Sequence, residues 1–178
     1  GHWFYVLTLP TQRRTFVYDP DEDAWHNRES YQLGYWRASC YESIFGINIV
    51  GDSESNKLGQ LDRHVYQEYG GYWVARRVSG VFAAKNKLVS ANRLELTFPS
   101  GQVPQGITHQ ARLRWSDNKG LTYGNPMIKE IGTAGAGNQR LVWWSMGSFR
   151  QRVYELSIST AANRDLIDED FQYEVGGL

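Results

Sequence analysis

Apolar and aromatic residues along this chain come in short runs cut by polar turns, and the runs have the length of strands. Residues 3–9 (Trp-Phe-Tyr-Val-Leu-Thr-Leu) end at Pro10, and residues 14–18 (Arg-Thr-Phe-Val-Tyr) follow a polar gap. The segment Asp19-Pro20-Asp21-Glu22-Asp23 then turns the chain into a third run at 24–28. Such runs bounded by Pro, Gly and Asp clusters read as hairpins, so this stretch is expected to form a three-stranded antiparallel meander of propeller-blade size. The same grammar returns at 45–51, the turn 52–57 and the strand 58–61, and a further strand at 72–78 follows Gly70-Gly71. Val17-Tyr18-Asp19 and Val50-Gly51-Asp52 stand about one blade length apart, a weak repeat in rhythm rather than identity. Two repeats do not close a propeller. Residues 1–85 are therefore expected to be the last blades of a longer chain.

The pattern changes at 81–93, where Ala and Lys accumulate and a helical turn or linker is expected, with a domain boundary after residue 85. Beyond it, the segments 93–98, 111–115, 141–144 and 152–159 alternate apolar and polar residues with period two, the mark of a sheet with one wet face. Glycine-rich loops at 99–107 and 132–138 separate them. Residues 86–178 are expected to form a β-sandwich-like unit. One turn in it is specific: Trp115 to Tyr123 reads as Ser-x-Asp-x-Gly-x-Thr-Trp, the Asp-box hairpin, with Asn118 in the Asp position and Tyr123 in the Trp position. In such a turn Ser116, Asn118 and Thr122 bond back to the backbone, Gly120 takes a positive φ and Tyr123 covers the bend. The fold class is thus all-β: propeller-type antiparallel meanders, then a sandwich-like unit carrying an Asp-box hairpin.

Composition narrows the class. Seven Trp, eleven Tyr and seven Phe against two Met, in 178 residues, favour sheets packed through broad side chains. Nineteen basic and nineteen acidic residues cancel, so the whole-chain field offers no footprint for nucleic acid or an anionic membrane. The single cysteine, Cys40, excludes an internal disulfide and a multi-cysteine zinc site; it is expected to be buried. No apolar run approaches the roughly 20 residues of a membrane-spanning helix, so a soluble chain is expected. Residues 1–6 lack the basic and small-residue signals of a secretory leader and read as a strand entered without preamble.

Candidate chemistry is sparse. Asp19-Pro20-Asp21-Glu22-Asp23 matches the start of a calcium loop, but Ala24 stands where the loop needs glycine and Ser30 where it needs the bidentate acid; a solvated turn is the better reading. His2, His26, His64 and His109 lie at no zinc-binding spacing. Gly132 to Gly137 lacks the following helix of a phosphate loop. No cofactor and no metal is expected. Arg112, Arg114, Arg140, Arg150 and Arg152, interleaved with Trp143 and Trp144, are the candidate interface residues, through ion pairs or, less well, through phosphate contacts. Asp-boxes also occur in propeller glycosidases, but the box does not catalyse, and an incomplete propeller cannot hold the carboxylates and arginines that the reaction needs.

Several segments, in order, resemble one family. They are Phe4 to Pro10 with Thr15 to Asp19, Ala24 to Ser30, Tyr35 to Ala38, Val50 to Ser53 with Leu61-Asp62 and Glu68 to Gly70. Trp115 to Asp117, Arg140 to Trp144 and Gly147 to Glu155 complete them. Together they are similar to the packaged-DNA stabilisation, or tail hub and head-closure, proteins of short-tailed double-stranded-DNA phages. Gln151 departs from the Arg-Asp-Arg of that pattern, and the match is to the family's C-terminal part.

The resemblance implies a non-enzymatic virion protein of the phage tail, made in the host cytoplasm. It implies a ring of this chain with itself, in the family a hexamer, that closes the portal channel and keeps packaged DNA inside. The implied partners are the portal-adaptor protein, the tail needle and the tailspike, with transient contact to packaged DNA and no membrane insertion. The alternative from another class is a carbohydrate-binding β module, or a fragment of a propeller glycosidase, using Trp faces to stack on sugars. Burial of either ring of Trp143-Trp144 would count against it.

Overall fold

The fold is that of a computed structural model, which describes residues 3–71, 73–99, 103 and 105–176. Tyr72 of the expected strand 72–78 and residues 100–102 and 104 of the expected loop lie outside the described residues, as do Gly1 and His2. All regular structure among the described residues is β, and no helix there is long and apolar enough to cross a membrane. The chain divides into two compact units, residues 1–73 and 74–178.

The first unit contains two three-stranded antiparallel meanders. One is β1 (Tyr5–Leu9), β2 (Arg14–Asp19) and β3 (Ala24–Asn27); the other is β4 (Ala38–Ile44), β5 (Ile47–Asp52) and β6 (Leu58–Gln60). They use one device at the same place. Val17 and Val50 are buried in the middle strands, and two residues on, Asp19 and Asp52 end those strands with buried side chains. Asp19 Oδ1 accepts the amides of Asp21 (3.0 Å) and Glu22 (3.4 Å), and Asp52 Oδ1 accepts that of Glu54 (3.1 Å), so each carboxylate folds its own turn. Asp52 also takes the Arg37 guanidinium at 2.7 and 2.6 Å. That pairing holds its carboxyl far below the usual range, against the opposing effect of burial.

Two local expectations are corrected here. Phe45-Gly46, read as the start of a strand, is the two-residue turn between β4 and β5, and β4 itself was not legible in Ala-Ser-Cys-Tyr-Glu-Ser-Ile. Cys40 is exposed rather than buried, because it sits on an outer strand whose residues 39–44 all face solvent.

The second unit packs two sheets around one core. The first is built from β11 (Met127–Gly132), β10 (His109–Ser116), β14 (Gln151–Ile158) and β7 (Ala75–Val78), with β8 (Phe82–Ala83) continuing β7's side of β14. The second has β9 (Val89–Phe98) between β15 (Asp168–Val175) on one side and β12 (Gln139–Trp144) with β13 (Ser148–Phe149) on the other. β9 alternates buried and partly exposed residues along much of its length, and Leu94, Leu96 and Phe98 meet Leu113, Ile131, Leu141, Trp143, Phe149, Leu156 and Ile158 in the core.

The boundary falls after Trp73 rather than after residue 85. Strands β7 and β8 belong to the second unit because they are hydrogen-bonded to β14. The stretch 81–93 holds no helical turn: it is β8, a turn at 84–88 and the start of β9. The acid-rich stretch from Asp165 to Asp170 leads into β15, which pairs with β9 from Asp168↔Thr97 to Val175↔Val89. Phe171 and Tyr173 explain it. Their rings pack on Phe82 with centroids 5.3 and 4.8 Å away, and Phe171 lies 5.5 Å from Tyr154.

Candidate functional site

The turn after β10 is held by side chains rather than by a tight hairpin ladder. Ser116 Oγ donates to Asn118 Oδ1 (2.7 Å) and accepts the Gly120 amide (2.9 Å); Asn118 Oδ1 accepts the Thr122 amide (2.9 Å) while its Nδ2 donates to Thr122 Oγ1 (2.7 Å). Lys119 and Gly120 carry φ of 62° and 87°. A Cβ on Gly120 would stand 3.3 Å from the Tyr123 hydroxyl, so glycine suits this position on both counts. The segment is a wide connection: β10 and β11 are last paired at Leu113↔Met127, and Gly124 N bonded to Trp115 O at 3.0 Å closes the loop.

Two arginines anchor this turn to the sheet. β10 and β14 pair with Arg114 opposite Glu155 and Trp115 opposite Tyr154, which places Arg114 Nε 2.7 Å from the buried Glu155 Oε1. The same guanidinium lies 4.6 Å from the Tyr123 ring centroid. Arg152, only 3% exposed, grips both oxygens of Asp117 (Nε–Oδ1 2.6 Å, Nη2–Oδ2 2.9 Å) and donates Nη1 to the Met146 carbonyl at 2.6 Å. Rings of Phe149, Trp115 and Tyr154 surround it at 4.2, 5.0 and 5.8 Å. Burial is the largest single influence and opposes the guanidinium charge, but Asp117 and Tyr154 together outweigh it, and the net shift of Arg152 is upward. Burial likewise pushes the Tyr154 phenol up, with Arg152 pulling the other way.

The seven candidate interface residues do not form one patch. Arg112, Arg114 and Arg152 lie in one sheet, Arg140, Trp143 and Trp144 in the other, and Arg150 between β13 and β14. Two of them are inside the protein. Trp143 is 0% exposed in the core, because the β12 register turns it inward opposite Leu94, and Arg152 serves Asp117 as described. Trp144, on the opposite face of the same strand, is 62% exposed with Arg93 5.5 Å from its ring centroid. Arg112 is exposed, Arg140 reaches Glu95 at 3.8 Å, and Arg150 donates to the Asn86 carbonyl.

Asp117 and Glu155 are the functional partners that sequence reasoning missed as a pair of anchors. Nothing in the sequence links Arg152 to a residue 35 positions earlier (152 − 117). Both carboxylates are bound by guanidinium groups, which suits a structural anchor. An open cavity of about 420 Å³ lies beside Asp117, lined by Ala83, Asn86, Asp117, Arg150 and Gln151. Among the described residues no group of three or more His, Cys, Asp or Glu side chains is placed to hold a metal ion.

Comparison with known proteins places this architecture. No curated protein matches the chain. Residues 75–168, from the first residue of β7 to the first of β15, match the model of the family described as "Bacteriophage P22 Gp10, beta-sandwich".

Proposed function

Because the chain belongs to the bacteriophage P22 Gp10 β-sandwich family, a family of phage structural proteins, we propose that it serves in the phage tail as a closure part. In this reading it joins copies of itself into a ring beneath the portal and its adaptor, stops the channel and keeps packaged DNA inside. It also offers docking surfaces to the tail needle and tailspike. The observation that carries the reading is the match over residues 75–168, which takes in every strand of the sandwich up to the start of β15. The chemistry around the 116–123 turn agrees with it: the charged groups there are spent on each other, as in a rigid part, and the sheets are braced by aromatic layers suited to load and to protein contact.

The propeller reading of the first unit belongs here too. Its two meanders are blade-like in strand order and share their Asp turns, and in the proposed assembly they would stand beside further blades. The carbohydrate-binding alternative loses its paired-ring platform, since Trp143 lies in the core and leaves Trp144 alone at the surface.

The test uses DNA-filled heads that carry the portal and adaptor but lack the tail. Added protein is expected to bind the heads and to protect their DNA from nuclease. Heads that neither bind the protein nor retain more DNA in its presence would overturn the proposal.

A further inference from the structure

One end of the sandwich collects charge that the rest of the molecule balances. Three connections meet there: the turn between β8 and β9 at 84–88, the 116–123 turn after β10, and residues 150–152 where β13 runs into β14. They supply four of the five side chains that line the open cavity beside Asp117, and Ala83 of β8 supplies the fifth. The whole chain carries nineteen basic and nineteen acidic residues, yet these three segments hold Lys85, Lys87, Lys119, Arg150 and Arg152 against Asp117 alone. Arg152 takes both oxygens of Asp117, so that pair is neutral. Among the described residues no carboxylate stands at ion-pair distance from the other four cations. Glu174, the acid that β15 brings to this end of β9, accepts instead from Asn92 at 3.1 Å.

The cavity wall is set in place before any ligand arrives. Arg150 Nη1 donates to the Asn86 carbonyl, which fixes the guanidinium and leaves most of its N–H fork unspent. Lys85 and Asn86 carry φ of 46° and 62°, and Lys87 N bonded to Ala84 O at 2.8 Å closes their turn. Two left-handed residues in succession suit Asn-Gly, and a lysine in the first position is strained. That turn brings Asn86 to the wall between two lysines. Gln151, whose Nε2 lies 3.5 Å from the Asp117 carbonyl, adds a second side-chain amide.

We propose that this cavity binds a phosphate group. The fork of Arg150 fits a phosphate or a carboxylate in shape. The donors around it are more than two carboxylate oxygens take up: Arg150, the amides of Asn86 and Gln151, and the lysines on the flanking positions. A phosphate answers them with three strong acceptor oxygens and nearly twice the charge. The carboxylate in the wall does not oppose it, because the Arg152 guanidinium offsets Asp117. An uncharged sugar fits less well, since no aromatic ring lines the cavity to stack on it. A cavity of about 420 Å³ takes a phosphate carried on an ester as well as a free one. The site belongs to the sandwich alone, so it stands or falls separately from ring formation.

The experiment is amide NMR on the full 178-residue chain, titrated with inorganic phosphate against chloride at equal ionic strength, then with a short DNA oligonucleotide. Phosphate is expected to move the amides of 84–87, 117–120 and 150–152, and Arg150→Gln to weaken binding about tenfold, the loss of one charge-assisted fork. That variant also loses the bond to Asn86, so Lys87→Gln and Lys119→Gln, which keep it, supply the second readout. Each should weaken binding by a factor of about two to three, the effect of one exposed charge. Shifts of the same amides by the oligonucleotide, with a salt slope that falls by about one for each lysine removed, assign the site to a phosphodiester. Shifts by inorganic phosphate alone assign it to a free phosphate. No shift with either, shifts that chloride reproduces, or binding that Arg150→Gln and Lys119→Gln leave unchanged overturns the proposal.

Discussion

Arg152 is almost wholly buried and its charge is answered mainly by one carboxylate, so Asp117 is the residue whose loss should be felt most. Asp117→Asn leaves that guanidinium without its counter-charge and is expected to cost about 2–3 kcal/mol, below the figure for a fully enclosed pair because Asp117 is half in water. Urea denaturation of residues 74–178 measures it. His109 supplies a pH dependence of known sign. Its ring is buried at the start of β10, Nε2 lies 3.0 Å from the Asn163 carbonyl and so carries the proton, and Nδ1 has no partner among the described residues. Burial lowers the pKa, only partly opposed by the bond to Asn163 and reinforced by Arg164. The unfolded chain therefore takes up a proton near pH 6.5 that the folded chain refuses. Stability from this residue is full above that pH and declines as pH falls toward the lower folded value. Urea midpoints between about pH 7.5 and about pH 5 should drop for wild type, with a flatter slope for His109→Gln, whose amide keeps the bond to Asn163 but does not titrate. Neither partnership was legible in the sequence, since each joins residues brought together only by strand pairing or loop return.

At the scale of elements, the turn after β10 tests whether side-chain bonds alone hold a wide connection. Asn118→Ala removes the acceptor for Ser116 Oγ and the Thr122 amide and should cost about 1–2 kcal/mol. Asn118→Asp keeps both acceptor roles and should stay within about 0.5 kcal/mol of wild type; thermal unfolding of the two variants side by side decides it. This turn was legible because its bonds are local in sequence. So were β9, β10 and β14, whose alternation follows directly from having one face on the core. β11 was missed because Lys129 interrupts an otherwise regular face of Met127 and Ile131. β15 was missed as well, although Phe171, Tyr173 and Val175 alternate within it. The four acids masked a period-two signal that the Phe82 and Tyr154 rings make decisive.

At the scale of the whole molecule, the two units differ in what they bury. Among the described residues every buried core hydrophobic except Val17 and Val50 belongs to residues 74–178. Limited proteolysis should therefore cut residues 1–73 first and leave the sandwich intact, a result read by mass spectrometry. The resemblance legible in the sequence runs from Phe4 to Glu155, whereas the family match covers 75–168 and so leaves the first unit outside it. One consequence follows from the place of β9. Its partners arrive at 139–149 and 168–175, far later in synthesis than β9 itself. On the ribosome this strand must wait, unpaired on one side, until Val175 has emerged. The sandwich thus closes only after translation of its last strand, at the slow rates of long-range β pairing, and a nascent chain halted before residue 168 carries an open, apolar edge that invites chaperones.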